Sequence, residues 1–372
     1  MRPLARTEIG HETNAQIMST CPGVSLQGPA KPQGVPVHSV WGPMREIHRS
    51  WSREPLVRHK AAAGGTLTAL GRYLLANGRV DAVLHVRADD RKPWLTMATV
   101  SKTPDEVLAG AQSRYGPSSP LIHIHRLLDG GKPFAVIAKP CDISALRALG
   151  RSDPRVEQLI PYMLTIFCGG VPSAHISSAI MRHHGVDDQD VRLFRFRGEG
   201  WPGPLRVQTR DATIYDLPYP DGWKGKKYSY DVQFRCKICP DAVGEVADIS
   251  VPDGWILRYG KPVFDEAPGI NVALVRTAAG EELLNEAIAA GYLEVSPVSI
   301  QEIEQMHSEK PDRKAGAFTA LLALRLIGQR AIKVSGYRSA DALKRAGLRS
   351  FFRQFAGAIR RVIDGDNREH LI

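Results

Sequence analysis

The chain of 372 residues is 43% hydrophobic and 24% charged, an ordinary globular composition with length enough for one large domain or two modest ones. Its formal charge of +10 resembles a nucleic-acid signal, but residues 311–372 hold 13 Lys/Arg against 5 Asp/Glu, a difference of +8, so the rest of the chain is nearly neutral and no nucleic-acid partner is expected. No basic-then-apolar leader pattern and no apolar run of bilayer length occur, and the five scattered cysteines fit a reducing compartment better than a disulfide framework, so a cytoplasmic protein is expected.

Residues 1–58 are rich in Pro and Gly with little periodicity, which predicts an irregular arm. Gly64-Gly65 then opens a helix over Thr66–Ala76, where Leu67, Leu70, Leu74 and Leu75 recur at helical spacing and Asn77-Gly78 ends the run. Val80–Val86 reads as a buried strand. Phe134–Ala138 is a second strand, followed by Lys139-Pro140-Cys141-Asp142 and a helix with Asp142 as its N-cap. Tyr162–Phe167 is a third, followed by Cys168-Gly169-Gly170 and a helix over Ser173–His184.

Strands alternating with helices predict an α/β fold, a mainly parallel sheet with helices on both faces. Val191 to Tyr230 predicts a smaller antiparallel, strand-rich section, and Asn271–Arg276 and Ala279–Ala290 a further strand and helix. The C-terminus predicts a helical extension. From Ala342 on, Leu348, Phe351, Phe352, Phe355, Ile359, Val362 and Ile363 recur at helical spacing, with Arg345, Arg349, Arg353, Arg360 and Arg361 over the remaining surface. Such a helix either packs on its own domain or presents a basic face to an anionic membrane or an acidic electron carrier.

Chemistry is concentrated in four of the five cysteines. Cys141 and Cys168 each follow an apolar strand, where open α/β sheets gather ligands. Cys236 and Cys239 stand two residues apart in Arg-Cys-Lys-Ile-Cys-Pro-Asp, a spacing that lets both sulfurs face one metal centre. Four thiolates suit a [4Fe–4S] cluster, and they also suit a structural zinc. His123-Ile124-His125 would put two imidazoles on one face of a strand and His183-His184 end a helix, but neither pair has a carboxylate set at ligand spacing, so they offer no competing site.

Five blocks in fixed order carry a family resemblance: Lys60–Leu70 (KAAAGGTLTAL), Ser113-Arg114-Tyr115, Lys139-Pro140-Cys141-Asp142, Cys168–Ser173 (CGGVPS), and Phe234–Asp241 (FRCKICPD) with Ala247-Asp248-Ile249. From about Trp41 to Tyr292 the chain resembles the beta subunit family of coenzyme F-420-reducing hydrogenase and dehydrogenase, to which the plant 7-hydroxymethyl chlorophyll a reductases and ferredoxin-dependent vinyl reductases are similar.

The resemblance implies FAD beside a [4Fe–4S] cluster in an oxidoreductase. Such an enzyme passes electrons between a ferredoxin-like carrier and a two-electron organic substrate or deazaflavin. Carried over by position, Cys141, Cys168, Cys236 and Cys239 would ligate the cluster. Gly64, Gly65, Thr66, Ser113, Tyr115 and Lys139 would line the flavin, the glycines letting backbone amides approach a phosphate at a helix start. The implied division is an arm (1–58), a flavin-side domain (59–132), a domain with the cluster cysteines (133–310) and a basic helical extension (311–372). Family members often carry an N-terminal ferredoxin-like motif. Only Cys21-Pro22-Gly23 of it is found here, so a second cluster cannot be built from the one spare thiol, and either the start is shortened or a separate protein supplies the relay, with oligomer formation a further expectation. Two other readings stay open: a non-catalytic electron-relay subunit, and a zinc-stabilised binding module.

Overall fold

The computed structural model describes residues 7–30, 34–219 and 232–365. Its centre is an eight-stranded sheet made of β2 (Glu46–Ser52), β3 (Ala82–Ala88), β4 (Thr96–Ser101), β5 (Phe134–Ala138), β6 (Met163–Thr165), β10 (Ile249–Ser250), β11 (Asn271–Val275) and β12 (Leu293–Pro297), numbered with four strands outside it: β1 (Ser25–Gln27), β7 (Val191–Arg195), β8 (Leu205–Thr209) and β9 (Ile214–Leu217). In space the order is β12-β2-β11-β10-β6-β5-β3-β4. Four successive strands, β10, β6, β5 and β3, are parallel neighbours, and antiparallel strands extend the sheet by three on one side and one on the other.

Alternation along the parallel strands sends side chains to two cores, because successive residues face opposite sides of a sheet. Val83, Ala135 and Leu164 pack with Leu70 and Leu74 of the helix Thr66–Ala76 and with Leu283 and Leu284 of Ala278–Ala289. Leu84, Val136 and Met163 face the other way, onto Ile143 and Leu146 of Pro140–Leu149. Both faces are therefore covered, as the near-continuous apolar strands require. β7, β8 and β9 form the separate antiparallel sheet, with Phe194 and Val207 packed on Ile176 and Ile180 of His175–His183. The part of the strand-rich stretch from 220 to 230 lies outside the described residues.

Three expectations need correction. The arm is not irregular throughout. His11–Thr20 is a helix (α1), and β2 is an interior strand of the large sheet, paired on both edges with β11 and β12. Its sequence shows no apolar alternation, because the face that carries the buried Ser50 and Ser52 also carries Glu46 and His48 and is polar throughout. Asp142 is not the N-cap. Lys139 holds that position, with Pro140 as the first helical residue, and Asp142 accepts the Lys139 N–H at 3.2 Å from three residues on. His123 and His125 stand in a 3₁₀ turn and a short helix, so they share no strand face.

The C-terminal extension is part of the body. With α2 (Thr66–Ala76), α3 (Pro140–Leu149), α4 (His175–His183), α5 (Phe234–Lys237) and α6 (Ala278–Ala289), the chain continues into α7 (Glu309–Leu326), strand β13 (Lys333–Ser335) and α8 (Ser339–Ile363). β13 pairs in parallel with β1, and Phe355, Ile359 and Val362 of α8 pack against Leu321 and Leu324 of α7. The apolar stripe of α8 is split: those three turn inward, while Leu348, Phe352 and Ile363 stay exposed. Among the described residues no helix is long and apolar enough to cross a membrane.

Candidate functional site

Parallel pairing brings the first two cysteines together. Ala138 at the end of β5 lies opposite Thr165 at the end of β6, so Cys141 on the first turn of α3 and Cys168 in the loop after β6 leave adjacent strand ends. Cys236 sits on the short helix α5, and Cys239 follows in the turn it begins, its N–H bonded to the Cys236 carbonyl at 3.4 Å. The four thiols line a single cavity of about 270 Å³, together with Pro22, Gly23, Arg235 and Arg313.

Gly170 lets the two cysteine loops close on each other. Its φ of 119° is in the region L side chains avoid, and a Cβ there would stand 2.6 Å from a Val232 methyl and 3.5 Å from the Cys236 Cβ. The Gly170 N–H also donates to the Cys168 sulfur at 3.4 Å. On the other side of the cavity the buried Asp241 folds the turn after Cys239. Its Oδ1 accepts from the amides of Val243, Gly244 and Glu245 at 3.3, 2.7 and 3.2 Å, and its Oδ2 accepts from the Tyr337 hydroxyl at 3.3 Å.

Sequence reasoning missed the brace supplied by α7. Arg313 donates to the Gly169 carbonyl at 2.6 Å and to the Cys236 carbonyl at 2.8 Å, tying the second and third cysteine segments to one guanidinium. Lys310 reaches the Cys168 carbonyl at 3.5 Å, and the buried Lys314 pairs with the buried Glu245 at 2.5 Å. The three cations recur at i, i+3 and i+4, one helix face. That spacing was visible in the sequence, but the acceptors are carbonyls from distant segments. Arg313→Ala is expected to lower stability by about 2 kcal/mol, within the range for hydrogen bonds to a charged group. The metal-free variant should also show faster alkylation of its thiols, with Arg313→Lys restoring only part of the difference.

Electrostatically three of the thiols, Cys141, Cys236 and Cys239, are held neutral until a positive centre stands among them. Burial, then Asp142, pushes the Cys141 thiol well above its ordinary range, and burial with Asp241 pushes Cys239 to about 12. Burial also raises Cys236, against the opposing pull of Arg235 and Arg313. Neutral, buried thiols are poor nucleophiles, whereas a metal deprotonates coordinating thiols outright. Among the described residues no three ligand-type side chains close on one metal ion. The four thiols line one cavity of about 270 Å³, and four cysteine sulfurs are the donor set that an iron–sulfur cluster takes.

The residues expected on the flavin side are not all in one place. Lys139 belongs to the thiol end, where its Nζ pairs with Asp142 at 2.7 Å and approaches the Ser118 hydroxyl at 3.4 Å. Gly64, Gly65 and Thr66 open α2 against the sheet. A Cβ on Gly64 would stand 2.7 Å from both the Asn271 amide nitrogen and the Ser50 carbonyl. The buried Thr66 hydroxyl bonds Ser50 at 2.8 Å, and its N–H donates to Asn271 at 3.2 Å. Ser113 pairs with Arg197 in a β-bridge, and Tyr115 packs edge-on to Phe196 with ring centres 5.4 Å apart.

Arg197, also missed from sequence, links these blocks. Buried beside Tyr219 and Trp255, it forms a two-toothed ion pair with Asp253 at 3.0 Å and donates to the Ala62 carbonyl at 2.7 Å. The Lys60–Thr66 block and the Ser113–Tyr115 block thus meet at Arg197, the first at its guanidinium and the second at its backbone.

Similarity to known proteins follows the same segments. The model of the coenzyme F420 hydrogenase/dehydrogenase beta subunit N-terminal part matches residues 47–125, and that of its C-terminal part matches 131–301. The coenzyme F420 hydrogenase subunit beta of Methanothermobacter thermautotrophicus is 24% identical over 299 residues, 75% of this chain and 96% of that protein. The coenzyme F420-dependent sulfite reductase of Methanocaldococcus jannaschii is 28% identical over 267 residues, 67% of this chain but 38% of the relative. The F420-dependent formate dehydrogenase 1 subunit beta of Methanococcus maripaludis is 27% identical over 266 residues, 70% of this chain and 63% of that subunit.

In fold, the structure is similar to a chain of the F420-reducing [NiFe] hydrogenase complex from Methanosarcina barkeri. The TM-score is 0.59 at 22% identity, covering 77% of this chain and 95% of that one. Arg313, Lys314 and Tyr337 lie beyond the segments matched by the two family models. With both models matched in order, and relatives of that name aligned over most of the chain, this protein belongs to the coenzyme F420 hydrogenase/dehydrogenase beta subunit family.

Proposed function

We propose that the chain is the redox subunit of an oxidoreductase that holds a [4Fe–4S] cluster on Cys141, Cys168, Cys236 and Cys239 and binds FAD beside the Lys60–Thr66 and Ser113–Tyr115 blocks. One observation carries the reading: thiols from three distant segments line the same cavity at the ends of parallel strands. The names of the relatives, subunits of F420-dependent hydrogenase and formate dehydrogenase, support a redox role.

When bound, the cluster supplies single electrons and the flavin pairs them for a two-electron organic substrate or a deazaflavin. The chain's own contribution is placement and charge. Gly170 and Arg313 hold the cysteine loops in register, and Lys139, Arg235 and Arg313 put positive charge around the thiolates. A ferredoxin-like carrier or another redox protein is the proposed electron partner.

Anaerobic purification, followed by the ultraviolet–visible spectrum and assays of iron, sulfide, zinc and released flavin, tests this reading. About four iron and one FAD per chain are expected. Iron without flavin would make the protein a relay subunit, and zinc without flavin would overturn the redox reading.

A further inference from the structure

We infer that the outer face of α8 lies flat on an anionic lipid membrane, independently of which cofactors the chain holds. Gly347, with a φ of 77°, breaks α8, so its second segment starts afresh at Leu348 and runs to Ile363, a length of about 24 Å at about 1.5 Å per residue. One side of that segment packs on the body through Phe355, Ile359 and Val362. Along the edge where that contact ends, Leu348 is 78% exposed, Phe352 65% and Ile363 78%. At about 100° per residue these three fall within about 60° of arc, so they form one stripe along the segment.

Positive charge borders the stripe. Arg349, Arg360 and Arg353 fill the next arc of the exposed side, about 40° wide at the same spacing. Leu348-Arg349 and Phe352-Arg353 are the same apolar–basic pair repeated one turn apart. Arg353 pairs with Asp312 at 2.9 Å and Arg360 with Asp364 at 3.3 Å, but all four side chains are more than half exposed, and pairs of that kind are weak in water. Between Asp341 and Asp364 the chain holds six Lys/Arg and no acid.

The end of α7 extends the apolar surface. Gly316 meets the Gln354 side chain, and Leu324 shares a cluster with Val362, so the two helices run parallel with one offset. Leu326, 68% exposed and next to Arg325, therefore comes level with Ile363.

These features select the occupant. Large apolar side chains held in water beside arginines match a bilayer interface, where the apolar tips enter the acyl boundary and the guanidinium groups meet lipid phosphates. A second copy of this chain is disfavoured, because twofold pairing sets the arginine band against itself with no acid in the segment to relieve it. A folded acidic protein would answer the arginines, but the stripe is convex helix surface without the pocket in which protein partners anchor. Among the described residues no helix is fit to cross a bilayer, so the contact is peripheral.

The test is cosedimentation of the full chain, purified anaerobically, with vesicles of phosphatidylcholine alone and of phosphatidylcholine with an equal part of phosphatidylglycerol. Wild type is expected to bind the anionic vesicles about tenfold or more tighter than the neutral ones, and more weakly as salt rises. Leu348→Ser with Phe352→Ser keeps every charge and should still lose about tenfold or more, because apolar burial supplies the rest of the binding. Arg349→Gln with Arg360→Gln should lose about tenfold and flatten the salt dependence. Arg258→Gln with Lys261→Gln, an equal loss of charge on an exposed turn elsewhere, should bind within about twofold of wild type. All variants should melt with wild type, since the replaced side chains stand in solvent.

Unchanged binding in Leu348→Ser with Phe352→Ser would reduce the effect to net charge and overturn the inference, as would an equal loss in the Arg258 and Lys261 variant. Absence of binding to either vesicle overturns it and leaves the face to a protein. A wild-type dimer in light scattering that Leu348→Ser with Phe352→Ser disperses would give the face to a second copy, and overturns it too.

Discussion

Serine in place of Cys236 is expected to strip the protein of its iron, from about four per chain to less than about one, with bleaching of the visible absorption. Serine offers a hard oxygen of high pKa where a soft thiolate is required, and the remaining three donors sit on segments that the fourth helps to hold. Cys141→Ser should behave alike, since Cys141 starts α3 at the opposite wall of the cavity. Cys21→Ser should keep its iron. Pro22 and Gly23 line the cavity, whereas Cys21 is the C-cap of α1 and is not among the lining residues. Iron and sulfide measured on all three variants decide the matter, and equal loss at Cys21 overturns the ligand set.

Lys314→Met is expected to be the most damaging substitution outside the cysteines. Lys314 and Glu245 are both almost wholly buried and 2.5 Å apart, Lys314 also donates to the Val40 carbonyl at 3.0 Å, and Glu245 Oε2 has no other partner. Removing one member of a buried pair strands the other charge, at a cost of about 3–5 kcal/mol, a large share of the roughly 5–15 kcal/mol that holds a domain folded.

The loss should depend on pH with a definite sign. Burial raises the Glu245 carboxyl from 4.5 to about 7 even with Lys314 opposing it. A raised folded pKa gives stability that is fully present below the unfolded value of 4.5 and lost as the pH rises through about 7. Without Lys314 that carboxyl ionises still less readily. Urea unfolding should therefore show a smaller deficit for Lys314→Met at pH 5 than at pH 8. Lys314→Met with Glu245→Leu should recover most of it, because an apolar pair leaves no stranded charge. An equal deficit at both pH values, unrelieved in the double variant, would rule out the stranded carboxylate as the cause.

The Arg313, Lys314 and Tyr337 contacts give the C-terminal extension a different meaning from a basic tail. From Ala342 on, the sequence left open a helix packed on its own domain or a basic face toward a membrane or an acidic carrier, and Phe355, Ile359 and Val362 pack on α7. α7 itself turns Lys310, Arg313 and Lys314 toward the cysteine loops and the turn after Cys239. The division at residue 310 cuts across α7, whose first residues and whose Arg313 serve the same loops.

Local pattern was enough to locate the helix Thr66–Ala76, the strand Phe134–Ala138 and the helix before His184, because apolar spacing and capping residues act within a few positions along the chain. It was enough, too, to single out Cys141, Cys168, Cys236 and Cys239, since two follow strands and two share a turn. It did not reveal β2, which lies inside the sheet only because β11 and β12 flank it, nor the pairing of β1 with β13 from opposite ends of the chain. Arg313 and Arg197 were illegible for the same reason. An arginine's role depends on which carbonyls and carboxylates its guanidinium meets, and those partners are set by contacts between distant segments. Residue type and spacing therefore determined which chemistry the protein can hold, and tertiary packing decided which cations brace the site.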